Sequence, residues 1–460
     1  MTVHDLFIDF ALASGLILVG QLLRAKITLF QRFFMPASMI AGFLGLILGP
    51  SVLNILPFST SIGSYAGVLI ILIFTVVGVN GFEFGSDGAA KGELKRVLGY
   101  QIYKLIALLI QIFIPIAVTL GILVRIFPNL NTGFGILLAS GFVGGHGTAA
   151  AVGNTFNGLG WAEAMDLGMT FATIGILSGI FGGLAMIKYA TKKGYTGYIK
   201  DFTYISGDLK TGLVSPKNRE SLGKETISSV SLDTLCFHLS IILGIGGAGY
   251  LLNRYLAENV LSGIPDFTIA YLLALALFLV FRKTKVYGYI DKNINNKISG
   301  TATDYLVFFG IAAIKITVII EYAMPLLLMT LVGLLIVFLT VFPLGYALNK
   351  DSWFERSLFV YGYSTGVFAI GFVLLRIVDP DNKSKTIEDT AMSPIGSFVE
   401  ILLWSTIPAL LVNGKGWLPV IITAVATIAL FILAIFAKTW WIGLPLAQRR
   451  FIGVAEENQV

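Results

Sequence analysis

Charged residues are scarce in this sequence: Asp, Glu, Lys and Arg make up only 13% of its 460 residues. Soluble chains normally carry roughly a quarter of such residues. Because 56% of the residues are hydrophobic, we expect most of the chain to lie in lipid. This composition excludes a secreted disulfide scaffold, a disordered tail protein and a nucleic-acid-binding protein, in spite of the net charge of +6.

Cysteine pairs and the common catalytic motifs are also lacking. Cys236 is the one cysteine, so no intramolecular disulfide forms. The two Gly-Lys pairs are followed by Glu225 and Gly416 instead of Ser or Thr, which excludes a phosphate-binding Walker A loop. The sequence has no His-Glu-x-x-His and no nucleophile elbow. These absences argue against an ATP-driven pump and against an enzyme.

Long apolar runs, in contrast, fill most of the chain. The hydrocarbon core of a bilayer is roughly 30 Å thick, so a crossing helix needs about 20 apolar residues. The sequence predicts thirteen apolar runs, at residues 6–23, 34–49, 66–82, 97–124, 134–158, 162–187, 232–253, 264–281, 303–320, 323–348, 357–378, 391–413 and 416–437.

Two of these runs contain too many glycines for simple crossing helices. Five glycines surround His146 in run 134–158, and three lie in run 357–378. Irregular backbone at membrane depth is tolerated only where protein buries it or where it lines a watery cavity. We therefore predict that both runs are re-entrant or unwound, which leaves eleven full crossings.

The distribution of basic residues predicts the orientation, because cytoplasmic loops collect Lys and Arg. No basic residue precedes the first apolar run, which argues against a signal peptide and places the N-terminus outside. The C-terminus is then cytoplasmic, and 27 of the 32 basic residues fall in cytoplasmic segments. We predict a multi-pass protein of the inner (plasma) membrane, whose net positive charge reflects its topology.

The two halves of the sequence resemble each other. Residues 35–41 align with 264–270, Gly145 to Thr148 align with Gly362 to Thr365, and Ile174-Gly175 aligns with Ile395-Gly396. Collinear matches on equivalent runs indicate two repeats, each with four crossings, a re-entrant element and a fifth crossing. An odd number of crossings inverts the second repeat. We predict repeats at 1–190 and 231–413, a cytoplasmic linker at 191–230, and an extra helix with a cytoplasmic tail at 414–460.

The two glycine-rich tips are the predicted binding site. Free backbone N–H groups at broken helices favour an anion, while carbonyl and hydroxyl oxygens suit a sodium ion. Glycine lets the backbone approach a ligand closely. The alternative is that these glycines only allow tight helix packing. The predicted substrate-binding residues of the tips are Gly144, Gly145, His146, Gly147, Thr148, Tyr363, Ser364 and Thr365.

Basic residues within or near the membrane supply further candidates, because such charges are costly there. Lys315 lies deep in run 303–320 and could bind a substrate carboxylate or pair with Asp304 or Glu400. Arg376 could bind a carboxylate in bidentate fashion, although a salt bridge with nearby aspartates is favoured. We expect Lys104 to snorkel to the interface or face the scaffold.

Sodium needs oxygen ligands, as hard cations do. Asp304 and Glu400 could supply a carboxylate, or could instead neutralise Lys315. Asp166, which begins the crossing after the first tip, is a further acidic candidate. The predicted sodium ligands are Asn80, Thr173, Asp304, Ser393 and Glu400.

One stretch is more distinctive than the rest: Ser140-Gly141-Phe142-Val143-Gly144-Gly145-His146-Gly147-Thr148. Together with the two broken runs and the order of the twelve runs up to residue 413, it resembles the bacterial sodium/glutamate symporter family. The resemblance implies a homodimeric carrier that couples sodium entry to glutamate uptake, with a moving transport part and an elevator motion. The family's second tip usually continues to Ala-Thr-Pro-Thr, whereas residues 367–372 here read Val-Phe-Ala-Ile-Gly-Phe.

We therefore predict an all-helical secondary transporter that cotransports sodium with a small acidic solute, which by resemblance is L-glutamate, through alternating access. The departure after the second tip keeps another small anion, such as a di- or tricarboxylate, open as the substrate. A channel is the competing class, since Gly-rich re-entrant loops also form selectivity filters.

Overall fold

A computed structural model gives the architecture of the chain. It describes residues 3–32, 35–81, 91–198, 207–219, 221–259, 266–349, 352–379, 383–391 and 394–437. Within these ranges the regular elements are all helices.

The first half of the chain and the linker form ten α-helices. They are α1 (Val3–Lys26), α2 (Thr28–Arg32), α3 (Ala37–Leu48), α4 (Ile62–Asn80), α5 (Lys91–Val118), α6 (Val124–Ile126), α7 (Phe134–Phe142), α8 (Gly145–Gly158), α9 (Ala164–Lys193) and, in the linker, α10 (Gly207–Thr211). A π-helical turn, Thr119–Leu123, joins α5 to α6 shortly after Pro115. Pro cannot donate the backbone bond of a regular helix, so a local change of helical pitch beside it is expected.

The second half of the chain forms nine α-helices within the described residues. It consists of α11 (Thr234–Asn259), α12 (Asp266–Phe281), α13 (Lys292–Ala312), α14 (Ile316–Glu321), α15 (Ala323–Leu348), α16 (Trp353–Val378), α17 (Thr386–Ala391), α18 (Pro394–Val412) and α19 (Trp417–Phe436).

The prediction of an all-helical membrane protein is confirmed. In the described part of the chain, seven helices are long and apolar enough to cross a membrane, and three shorter apolar helices accompany them. Each of the thirteen apolar runs coincides with one or two of the helices. The count of eleven crossings and the orientation of the termini stay predictions.

The two halves pack against each other reciprocally. Helix α3 contacts α13 and helix α12 contacts α4, so the second long helix of each half lies against the third of the other. Helices α1 and α11 pack in the same way on α3 and α12. Halves related by a two-fold axis would make such contacts. The inverted relation between them stays a prediction, and α19 packs on α5 outside this pattern.

The predicted helix over residues 303–320 is wrong in its boundaries. Helix α13 begins earlier and ends at Ala312, and α14 starts only at Ile316. The backbone N–H of Lys315, at the N-terminal end of α14, donates to the Asp166 carboxylate of α9 at 3.2 Å. A side chain from another helix thus satisfies one of the backbone groups that a helix start leaves open.

Helices α7 and α8 form the first hairpin. They are separated only by Val143 and Gly144, and both pack along α9. At the open end of the hairpin, a Cβ built on Gly133 would lie 2.5 Å from the ring of Phe156. The two ends of the glycine-rich run are therefore close together, and its middle forms the tip.

Helix α16 also doubles back, although its residues are helical throughout. The rings of Phe359 and Phe372 have centroids 5.2 Å apart. In a straight helix, with a rise of about 1.5 Å per residue, their Cα atoms would be about 20 Å apart. A Cβ built on Gly362 would likewise lie 2.7 Å from the Cα of Gly371. The chain reverses between these residues and forms the second hairpin.

A buried charge cluster holds the base of the second hairpin against α5. The Asp389 carboxylate of α17 is fully buried and accepts hydrogen bonds from both Arg96 of α5 and Arg356 of α16. The guanidinium of Arg356 also lies 5.1 Å above the ring of Tyr100. Because a buried carboxylate is tolerated only when it is paired and hydrogen-bonded, this cluster fixes three elements to one another.

Candidate functional site

The tips of the two hairpins meet at Gly175 in α9. A Cβ at Gly175 would overlap the backbone carbonyl of Thr365 from the second hairpin and lie 2.9 Å from the ring of Phe142 in the first. One turn further, a Cβ at Gly179 would lie 2.7 Å from the hydroxyl of Thr365. Both glycines lie near the middle of the thirty-residue helix α9. The tips therefore meet at half the length of a candidate membrane span.

The first tip depends on two glycines with different roles. Gly145 begins α8 with φ +63°, a left-handed conformation that residues with a Cβ rarely adopt. A Cβ at Gly144 would overlap the side chain of Thr148, which is itself 7% exposed. The turn can thus form only with glycine at these positions, and it leaves the first N–H groups of α8 at the tip.

His146 and Thr173 interact directly at this tip. The Nε2 atom of His146 lies 3.0 Å from the hydroxyl oxygen of Thr173, and both residues are buried. The Thr173 hydroxyl donates its own hydrogen to the carbonyl of Met169 at 3.0 Å. It can therefore only accept from the ring, so neutral His146 carries its proton on Nε2 and can face other groups only as an acceptor at Nδ1.

The second tip is tied to the middle of α5. Gln111 donates through Nε2 to the backbone carbonyl of Ser364 at 2.9 Å, and both residues are 1% exposed. The Oε1 atom of Gln111 and the Oγ atom of Ser364 are buried without a hydrogen-bond partner among the described residues. Thr365 differs, because its hydroxyl donates to the carbonyl of Tyr361 at 2.8 Å.

Three ionisable side chains lie beside the second tip. The hydroxyl of Tyr363 donates to the carboxylate of Glu400 in α18. The ammonium of Lys104 in α5 lies 5.1 Å from the centre of the Tyr363 ring and interacts electrostatically with Glu400. The prediction that Lys104 snorkels or faces the scaffold is wrong, because its side chain is buried against a residue of the tip.

The other predicted basic ligands lie apart from the tips. Lys315 is exposed and lies at the break between α13 and α14, so the prediction that it stands within one uninterrupted helical run is wrong. Arg376 is exposed near the end of α16. The carboxylate of Asp379 accepts from the backbone N–H groups of Lys383 and Ser384, at 2.8 Å each. Asp381, the other aspartate predicted to pair with Arg376, lies outside the described residues, so that salt bridge stays a prediction.

The predicted sodium ligands separate into different places. Thr173 and Glu400 lie at the first and second tips, as described above. The side-chain amide of Asn80 is hydrogen-bonded to Asn295 at 2.9 Å and to Asn296 at 2.8 Å. Asn80 lies about 15 Å along α4 from the part of that helix that faces Gly147 of the first tip.

Asp304 is exposed on α13 and interacts with Ser38 of α3, outside both tips. Ser393 lies outside the described residues. The structure therefore brings together only two of the five predicted sodium ligands with the tips.

Sequence reasoning missed Gln111 and misplaced Lys104. Both lie in run 97–124, seven residues apart and so nearly on one face of α5. Gln111 stands within Leu-Ile-Gln-Ile-Phe and is uncharged, so a search for ionisable residues passes over it. A polar side chain in the centre of an otherwise apolar span was the available signal.

Two hairpins whose tips meet at half the depth of a helical membrane domain define a secondary transporter, in which broken segments form the binding site. The family model for the sodium/glutamate symporter matches residues 4–366. The chain therefore belongs to the sodium/glutamate symporter family, and it is a sodium-coupled glutamate transporter. No individual curated protein matches the chain at a significant level. The family match ends at Gly366, directly before the stretch that departs from the family pattern.

Proposed function

We propose that glutamate and sodium bind between the two hairpin tips and that the hairpins carry them across the membrane by alternating access. The contact of Phe142 and Thr365 with one glycine of α9 is the observation that supports this site. A site at half the span can be opened to either side by a small movement of surrounding elements, which is the requirement for a carrier.

The groups at the tips fit an amino acid with two carboxylates. The first turn of α8 presents backbone N–H groups and the positive end of the helix dipole, which favour a carboxylate. Lys104, beside the second tip, provides the fixed positive charge that a second carboxylate needs. Glu400 and Tyr363 hold this ammonium near the tip and supply acceptors for the substrate ammonium group.

The topology, the dimer and the elevator motion belong to the same proposal. The bias of Lys and Arg supports an external N-terminus and a cytoplasmic C-terminus. The reciprocal packing of the halves supports an inverted repeat. The homodimer and the elevator motion rest on the family resemblance alone.

Uptake of labelled L-glutamate into proteoliposomes tests this function. We expect saturable uptake with an inward sodium gradient and none when potassium replaces sodium. Excess unlabelled aspartate, citrate and glutamine define the substrate class. If citrate alone inhibited uptake, the substrate would be a carboxylate without an ammonium group instead of glutamate. A flux that does not saturate would indicate a channel.

A further inference from the structure

Gln111 is an unusual residue for its place in the fold. It occupies the middle of the candidate span Arg96–Ile126, and its side chain is almost completely buried. Its Nε2 atom donates to the carbonyl of Ser364, but its Oε1 atom has no partner among the described residues. A buried acceptor without a partner is unfavourable, and in lipid no water replaces the lost bond. A buried acceptor of this kind indicates that a ligand binds to it.

Ser364 carries the second open oxygen of the same pair. Serine and threonine in helices commonly donate to the carbonyl four residues earlier. Thr365 and Ser357 of the same helix do so, at 2.8 and 2.6 Å. The Ser364 hydroxyl is buried, and it has no partner within the part of the chain that the structure describes. Thr365 thus has a hydrogen-bond acceptor for its hydroxyl, whereas the adjacent Ser364 has no partner among the described residues.

The two open atoms are neutral oxygens of residues that bond to each other. Hard cations are bound by oxygen ligands, and a monovalent ion needs fewer carboxylates among them than a divalent ion. The described residues contain no group of three His, Cys, Asp or Glu side chains that could hold a metal. This set of atoms suits sodium better than a divalent ion.

We propose that the Oε1 atom of Gln111 and the Oγ atom of Ser364 are ligands of a cotransported sodium ion. This inference rests on the proposed function, because it assigns one of the two cotransported species to named atoms. It also gives the Gln111–Ser364 hydrogen bond a role, since that bond fixes the amide of Gln111 against the second tip.

Thermal unfolding of the purified full-length protein tests this site without any transport. Sodium chloride is titrated against choline chloride at constant ionic strength, because a ligand that binds only the folded state raises Tm. We expect a sodium-specific rise in Tm for the wild type. For Gln111→Met and Ser364→Ala, half-maximal stabilisation should need about tenfold more sodium or more. Thr423→Val, which removes a buried and satisfied hydroxyl from α19, serves as the control and should keep the wild-type response.

A second variant separates ion binding from folding. Ser364→Thr keeps the hydroxyl oxygen that Ser364→Ala removes, so half-maximal stabilisation should need no more sodium than in the wild type. An unchanged sodium response in both Gln111→Met and Ser364→Ala would overturn the assignment while leaving the transporter function intact. If the variants kept the sodium response but lost stabilisation by glutamate, the sodium assignment would also be overturned. The two oxygen atoms would then bind the ammonium group of the substrate. A wild type without sodium response and without uptake would contradict the proposed function itself.

Discussion

The two hairpins have similar glycine signatures but different polar interiors. In the first, an explicit break at Val143 and Gly144 separates two helices, and His146 is hydrogen-bonded to Thr173. In the second, the chain is helical through its reversal. Among the described residues, neither the hydroxyl of Ser364 nor the Oε1 atom of Gln111 has a hydrogen-bond partner. Tip positions that the sequence alignment makes equivalent therefore need not have the same role. The first tip offers helix N–H groups, and the second offers oxygen atoms and a fixed charge.

The largest effect is expected at the charged group of the second tip. Lys104→Met removes a buried ammonium that interacts with the partly buried Glu400 carboxylate, so the free energy of unfolding should fall by up to about 3 kcal/mol. The double variant Lys104→Met/Glu400→Gln should recover most of this loss in thermal unfolding, yet transport little glutamate. Lys415→Met is the matched control, and because Lys415 is exposed between α18 and α19 we expect a change within about 0.5 kcal/mol. Full uptake by the folded double variant would remove Lys104 from the substrate site.

The next largest effect is expected at Gly175, where the tips of the two hairpins meet. Gly175→Val inserts a side chain between Phe142 and Thr365, which should cost about 1–3 kcal/mol through overpacking and abolish uptake. Gly244→Val in α11 is the control, because a Cβ there meets no atom within 4 Å. If Gly175→Val transported like the wild type, the tips would not need their contact at α9.

The first tip is expected to depend on its single buried hydrogen bond. His146→Ala should lose uptake while the free energy of unfolding falls by only about 0.5–1.5 kcal/mol. Thr173→Val removes the partner of the ring and should give an intermediate uptake. Uptake and thermal unfolding, measured on the same preparations, separate the two effects. Wild-type uptake by His146→Ala would show that the first hairpin has a structural role only.

The smallest effect is expected at Arg376, which lies at the exposed end of α16 rather than at the tip. Arg376→Gln should change stability by no more than about 0.5 kcal/mol and leave the affinity for glutamate unchanged. Competition uptake measures this affinity. A large loss of affinity would show that this arginine moves to the substrate in another state of the carrier.

Much of the fold could be predicted from hydrophobicity alone. Each apolar run contains helix, because a backbone in lipid must satisfy its own hydrogen bonds. Glycine-rich runs also mark the two hairpins. The break near Lys315 could not be predicted, since no glycine or proline interrupts Ile311 to Ile320, and the start of α14 depends on Asp166 from another helix.

The candidate site was predictable only in part, for a related reason. His146, Thr148 and Ser364 stand in local motifs, so the sequence shows them. Lys104 and Gln111 reach the second tip through the packing of α5, which no local pattern records. Asn80 was predicted as a sodium ligand, but its amide is held by Asn295 and Asn296 of α13, a packing that no local pattern records.

The central claim is that both tips bind the cotransported solutes together. A cryo-electron microscopy map of the full-length protein with sodium and glutamate tests it most directly. We expect ligand density between the first turn of α8 and the second hairpin, beside Lys104 and Gln111. Density for glutamate or sodium at another place, with the space between the tips filled by side chains, would contradict it.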